Sequence, residues 1–173
     1  MIKRLLKSER GLTLIELLAV VVILGIIAAI AIPAIGGLID NSKKDAHVSN
    51  AQQMINATKI AVTSDKDLIP DNGKYTLVYL NYLENEGYLE TVKDPDGNTN
   101  SYKKGPSTSN QPRKNLSGDP KTSYSYVLIQ QDNNNKLSYY VKINSKRGIQ
   151  KGDGSAVAES ELKRSEVRNN SSS

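Results

Sequence analysis

Few residues in this chain have the types and spacing that chemistry requires, and the first of them is an acid out of place. In "RGLTLIELLAVVVILGIIAAIAIPAIGG", residues 10–37, Glu16 is the only charged side chain after Arg10. A carboxylate beside a long apolar run costs roughly 2.5–3.5 kcal/mol in lipid on insertion scales, so it needs a partner. One partner is local. Thr13-Leu14-Ile15-Glu16 has the S/T-x-x-E pattern of a capping box, in which two side chains satisfy free amides at a helix start. Such a cap contributes about 1 kcal/mol.

Elsewhere the chemistry thins out. His47 is the only histidine and there is no cysteine, so it has no obvious companion for a metal and is expected on a solvent-facing helix surface. Asp94, Asp96 and Asn98 have the spacing that opens a calcium loop, but the glutamate that closes an EF-hand is missing. No stretch sets a nucleophile beside a base, gathers metal ligands or forms a phosphate-cradling glycine loop. The expectation is therefore no catalytic residue, no metal and no cofactor: the chain does not read as an enzyme. The sequons Asn56-Ala57-Thr58 and Asn115-Leu116-Ser117 are short enough to arise by chance.

The composition narrows the choices further. The absence of cysteine excludes disulfide frameworks and zinc-thiolate sites. Nine tyrosines with no Phe or Trp mean that every aromatic ring must keep a hydroxyl hydrogen-bonded or at the surface. In the first ten residues, Lys3, Arg4, Lys7 and Arg10 against Glu9 supply +3 of the net +5. What remains is nearly balanced, which argues against a nucleic-acid-binding face.

The element that must position Glu16 is the run that follows it. From Leu17 to Ile39 the chain carries no charge, and as a helix this stretch is about 35 Å long, a bilayer's thickness. The basic cluster before it predicts a cytoplasmic N-terminus, with everything after Asp40 outside. The run is too long for the apolar core of a secretory signal. Gly25, Ala28 and Ala29 give small surfaces for close helix approach. Pro33, with Gly36 and Gly37 shortly after it, predicts a kink or a segment able to melt.

Taken together, "RGLTLIELLAVVVILGIIAAIAIP" resembles the class III leader and transmembrane start of type IV prepilins and pseudopilins. The likeness comprises the basic leader ending in Gly11, the Thr13 to Glu16 box, the apolar run and Pro33. It implies that a membrane prepilin peptidase cuts between Gly11 and Leu12 and methylates the new amine of Leu12, a position where relatives usually carry Phe. It further implies that, in a helical homopolymer, Glu16 meets the α-amine of a neighbouring copy and sets axial register. The "KDPDGN" stretch, residues 93–98, resembles a loop found before the sheet in many pilins and pseudopilins. The missing C-terminal cysteine pair is similar to Gram-positive pilins. The implied partners are copies of the chain itself, the peptidase and assembly machinery, and the membrane before assembly. The implied locations are a single-pass cytoplasmic-membrane precursor and an extracellular fibre for adhesion or motility. A pseudopilin or minor pilin of a secretion or DNA-uptake system, or a singly anchored binding protein, are the alternative readings.

The expected fold class is α+β, a long N-terminal helix packed on a small antiparallel sheet, as in type IV pilins. Residues 1–11 form the leader, 12–39 the hydrophobic assembly helix, 40–65 an amphipathic spine, and 66–173 an exposed αβ-loop, sheet and C-terminal segment. Val48, Ala51, Ile55 and Val62 mark the buried stripe of the spine. Residues 76–90 suit a short helix capped by Gly87, and 92–123 read as loop. "SYSYVLIQQDNNNKLSYYVKIN" is a hairpin turning at Asp132 to Asn135. A third strand is expected at Gly148 to Lys151, a helix over Ala156 to Val167, and disorder in "RNNSSS".

Overall fold

The computed structural model describes residues 13–97, 101–107 and 111–170. The chain forms two compact units, one ending at Asp40 and one spanning Asn41–Ser173. Helix α1, Leu14–Ser64, contributes to both.

In the first unit α1 is apolar on every side, which a helix can be only where lipid or protein surrounds it. None of residues 13–40 is buried, and Leu14, Leu18, Ile30 and Leu38 are more than half exposed. The stretch is long and apolar enough to cross a membrane.

In the second unit the remainder of α1 has one buried stripe: His47, Ala51, Met54, Ile55, Thr58, Ala61 and Val62 recur at three- and four-residue steps. Ala51 and Ala61 are fully buried on it, and Thr58 spends its hydroxyl on the Met54 carbonyl at 2.8 Å, so that donor is not stranded. Asp65 ends the helix by accepting from Asp67 N, and the chain turns at Gly73, whose φ of +72° suits glycine.

Against this stripe lies an antiparallel sheet of five strands in the order β2-β1-β3-β4-β6. The strands are β1 Tyr75–Tyr79, β2 Arg113–Leu116, β3 Tyr126–Gln131, β4 Leu137–Lys142 and β6 Val157–Ala158. The register Val78↔Val127↔Val141 puts three valines in one row facing α1, where they join Met54, Ile55 and Ile129 in the main core. The alternate rows, Leu77↔Leu128↔Tyr140 and Tyr79↔Tyr126↔Lys142, face the other way. There Tyr75 packs edge-on against Tyr140 and Tyr79 against Tyr124, and the Tyr126 hydroxyl donates to Asp119 at 2.5 Å. Tyrosines thus serve in a core that contains no Phe. Strands β5 Arg147–Ile149 and β7 Val167–Asn169 pair separately. The turn from β4 into β5 requires Gly148, where an added Cβ would sit 2.0 Å from the Ile143 carbonyl oxygen.

The α+β class, the spine stripe and the hairpin agree with expectation, and five local expectations do not. Tyr75–Tyr79 is a strand, and only Leu80–Asn85 forms the helix, α2, because pairing with β3 along five residues outweighs local helix propensity. Gly87 does close that helix, at φ +75°. The supposed loop of residues 92–123 contains edge strand β2. The third strand lies at Arg147–Ile149, outside the main sheet. Ala156 to Val167 is not helical: its anchors Val157, Leu162 and Val167 are five residues apart, so on a helix each would be rotated about 140° from the last and no common face exists. Two short strands joined by 3₁₀ turns bury both valines instead. Of "RNNSSS", Arg168 and Asn169 belong to β7, and residues 171–173 lie outside the described residues.

Burial pushes the Tyr102 and Tyr126 hydroxyls well above their usual pKa of 10.0, with Asp119 adding to the effect at Tyr126. The stability these phenols contribute is fully present below pH 10 and declines as pH rises toward their folded values, since only the unfolded chain can ionise them. The thermal midpoint of the full chain should fall as pH rises above about 10. Tyr126→Phe should make that alkaline decline shallower in a melting series monitored by circular dichroism.

Candidate functional site

The head of α1 is held by the box read from the sequence. Thr13 N donates to Glu16 Oε2 at 2.8 Å, and Glu16 N faces Thr13 Oγ1 at 3.4 Å and Thr13 O at 3.0 Å. The carboxylate is thus satisfied within its own chain at the start of the apolar helix. Only Oε2 is engaged among the described residues, which leaves Oε1 for a further donor. Gly11 and Leu12 lie outside the described residues. Pro33, Gly36 and Gly37 all sit within α1, whose helical assignment continues through them in the single chain. A Cβ built on Gly25, Gly36 or Gly37 meets nothing within 4 Å, so these positions are open to whatever packs on the helix.

A second cluster forms in the unit that follows, and it corrects the reading of His47. Rather than facing solvent, His47 is fully buried. Its place four residues before Ala51 puts it on the buried stripe, a signal present in the spacing. The residues that surround it come from distant segments. Asn50 donates through Nδ2 to Lys93 O at 3.0 Å and to the Tyr102 hydroxyl at 2.9 Å. The phenol, having accepted that bond, donates to His47 Nδ1 at 2.9 Å. His47 Nε2 therefore carries the proton and donates to Asp96 Oδ2 at 3.1 Å. Arg147 grips the same carboxylate with Nε at 2.9 Å and Nη2 at 2.7 Å, and Ser145 donates to Asp94 at 2.5 Å. Both ring nitrogens of His47 thus have a partner.

His47, Asp94 and Asp96 could together offer three donor atoms to a metal ion. They fit one poorly. Arg147 already occupies both Asp96 oxygens and Lys43 stands 3.7 Å away, so two cations already offset the two aspartates. A dication would leave a buried excess of positive charge and would strip the Nε2 proton from the chain of bonds running from Asn50 to Asp96. The arrangement instead clasps the 93–97 loop to α1 on one side and to β5 on the other.

Burial works to raise the Asp96 carboxyl, and hydrogen bonds from His47 and Arg147 outweigh it, holding the group below 3.8. Its contribution is present above pH 3.8 and disappears as pH falls through the lower folded value. Asp96→Ala, which strands Arg147 and His47 Nε2, should destabilise the fold by about 2–3 kcal/mol at neutral pH and flatten the acid limb of a denaturation profile. Chemical denaturation at pH 7 and in a series from pH 4 down to about pH 2 measures both effects.

Comparison with known proteins adds one finding to this geometry. Residues 6–32 match the family described as the prokaryotic N-terminal methylation motif. Neither the curated proteins nor the solved structures compared with the chain give a match. The matched segment spans the end of the basic leader, the Thr13 to Glu16 box and the apolar turns up to Ile32. It supports a type IV pilin-like prepilin, a substrate for N-terminal processing, and the apolar α1 fits a membrane-anchored precursor.

Proposed function

We propose that this chain is a structural subunit of a type IV pilus rather than an enzyme. The observation that carries this reading is the coincidence, within residues 6–32, of a methylation motif with an apolar helix that has no cover among the described residues. In the proposed cycle the peptidase cuts between Gly11 and Leu12 and methylates Leu12, while the apolar helix holds the subunit in the membrane. Lipid removes the hydrophobic drive between helices, so the subunit is stable there as a monomer. Once drawn out of lipid, the helix must bury its surface among other copies.

Glu16 supplies the register. The α-amine of Leu12 has an ordinary pKa near 8 and is charged at neutral pH. Set against Glu16 of a neighbouring copy in an apolar core, it makes a pair whose breakage is expensive even though its net stabilisation is small. The Thr13 box keeps the carboxylate satisfied until that amine arrives. The tyrosine- and asparagine-rich loops would then form the fibre's outer surface, for adhesion or motility. Melting of the helix near Pro33, Gly36 and Gly37 would let the fibre stretch.

Intact-mass analysis of the mature protein should show loss of residues 1–11 and gain of one methyl group. Retention of the leader would favour a simple membrane tether. Glu16→Gln should insert into membranes normally but be recovered in sheared filaments at about a tenth of the normal level or less.

A further inference from the structure

On the face of the sheet that points away from α1, a cavity of about 320 Å³ opens where β4, the 119–125 segment, the 150–154 turn and Asn170 meet. Its volume lies at the small end of ligand sites, which run ~300–1,000 Å³. The cavity's chemistry is set by Lys142, the last residue of β4. Lys142 is only 5% exposed, and its ammonium makes one hydrogen bond among the described residues, to Gly154 O at 2.7 Å. No carboxylate of the described residues lies within 4.0 Å of it. The acids nearby are already engaged. Asp153 is paired with Lys121 at 2.8 Å, and Asp119 accepts from Tyr126 Oη at 2.5 Å, Ala156 N at 2.6 Å and Lys121 N at 2.9 Å. An ammonium has three donors, so two remain to be met.

The wall beside it is rigid. Gln150 Nε2 donates to Asn170 Oδ1, Asn170 Nδ2 to Asn144 Oδ1 at 2.8 Å, and Asn144 Nδ2 to Ser123 O at 2.7 Å. This ladder locks the amides and leaves Gln150 Oε1 as an acceptor without a partner among the described residues. A buried, unpaired cation is costly to stability, and burial accordingly lowers the Lys142 pKa.

We propose that this cavity binds a small carboxylate carried on a hydroxylated body of monosaccharide size, such as a uronic acid unit, with the carboxylate on Lys142 and a hydroxyl on Gln150. One carboxylate supplies both a countercharge and acceptors for the two remaining N–H groups. A phosphate dianion would bring a second negative charge to a place that Asp119 and Asp153 already border, so a monoanion fits better. The proposal does not depend on the pilus reading, since the cavity lies wholly within the second unit.

The test uses the full chain in detergent, with thermal midpoint and tyrosine-region circular dichroism read against sodium glucuronate, glucose, glucose 6-phosphate and sodium chloride at matched ionic strength. Glucuronate should raise the midpoint saturably and the other three should not. Lys142→Met should raise the midpoint of the free protein and weaken glucuronate binding by about tenfold or more. Lys136→Met, an exposed lysine of the hairpin turn that does not line the cavity, should keep the response. A glucuronate response of equal size in Lys142→Met would overturn the assignment, as would none in the parent chain up to saturating solute. A larger response to glucose 6-phosphate would overturn the choice of a monoanion. If Lys142→Met fails to fold, a pH series on the parent chain replaces it. The response should then weaken as Lys142 loses its proton at alkaline pH, and a response independent of pH would count against the proposal.

Discussion

The constraint on which the rest depends is that residues 17–39 present apolar side chains in every direction, with no cover among the described residues. Water is a poor solvent for such a rod. A bilayer satisfies it, and so does a bundle of like rods, but an isolated subunit in water does not. That asymmetry gives the proposed cycle its direction, because whatever removes the subunit from lipid also creates the demand for other copies. The acid at the head of the rod then carries a second task. Bonded to its own chain through Thr13, it is tolerable in the membrane, and with one carboxylate oxygen still open it can accept a charged donor later.

The second unit solves a different problem, which is to fix long polar loops on a small core. Its helix presents mainly small and medium side chains and its sheet offers a row of valines, and the two share one core with Tyr82 and Tyr102, while Tyr139 of β4 lies under Lys59 of the helix. Specificity comes from polar ties of long sequence separation. The 93–97 loop is held by His47 and Asn50 from the helix and by Arg147 and Ser145 from the far end of the chain. These ties give both ring nitrogens of the buried histidine a partner from a distant segment.

What was legible in the sequence was local. The Thr13 to Glu16 box spans three residues, the hairpin turns within its own four, and the spine stripe repeats at helical spacing, so each can be read without knowing the rest of the fold. What was not legible depends on distant partners. Tyr75–Tyr79 is a strand because β3 pairs with it some fifty residues later, and β2 exists only as an addition to β1. The stripe's spacing carries the burial of His47, but the phenol and the carboxylate that satisfy its ring lie 55 and 49 residues away. The cavity at Lys142 was invisible for the same reason, since a lysine at a strand end reads as solvated until the 150–154 turn is seen to close over it.

The most direct measurement of the central idea is a distance between copies. Filaments grown from an equal mixture of subunits, one carrying ¹⁵N at the terminal amine and the other ¹³C at the Glu16 carboxyl, can be examined by solid-state dipolar recoupling. If a neighbour's amine neutralises Glu16, the mixed sample should show a through-space coupling corresponding to about 4 Å or less, the reach of an ion pair. Well-ordered filaments lacking any coupling between the two labels would contradict the account, because the carboxylate would then be buried without the amine said to justify it.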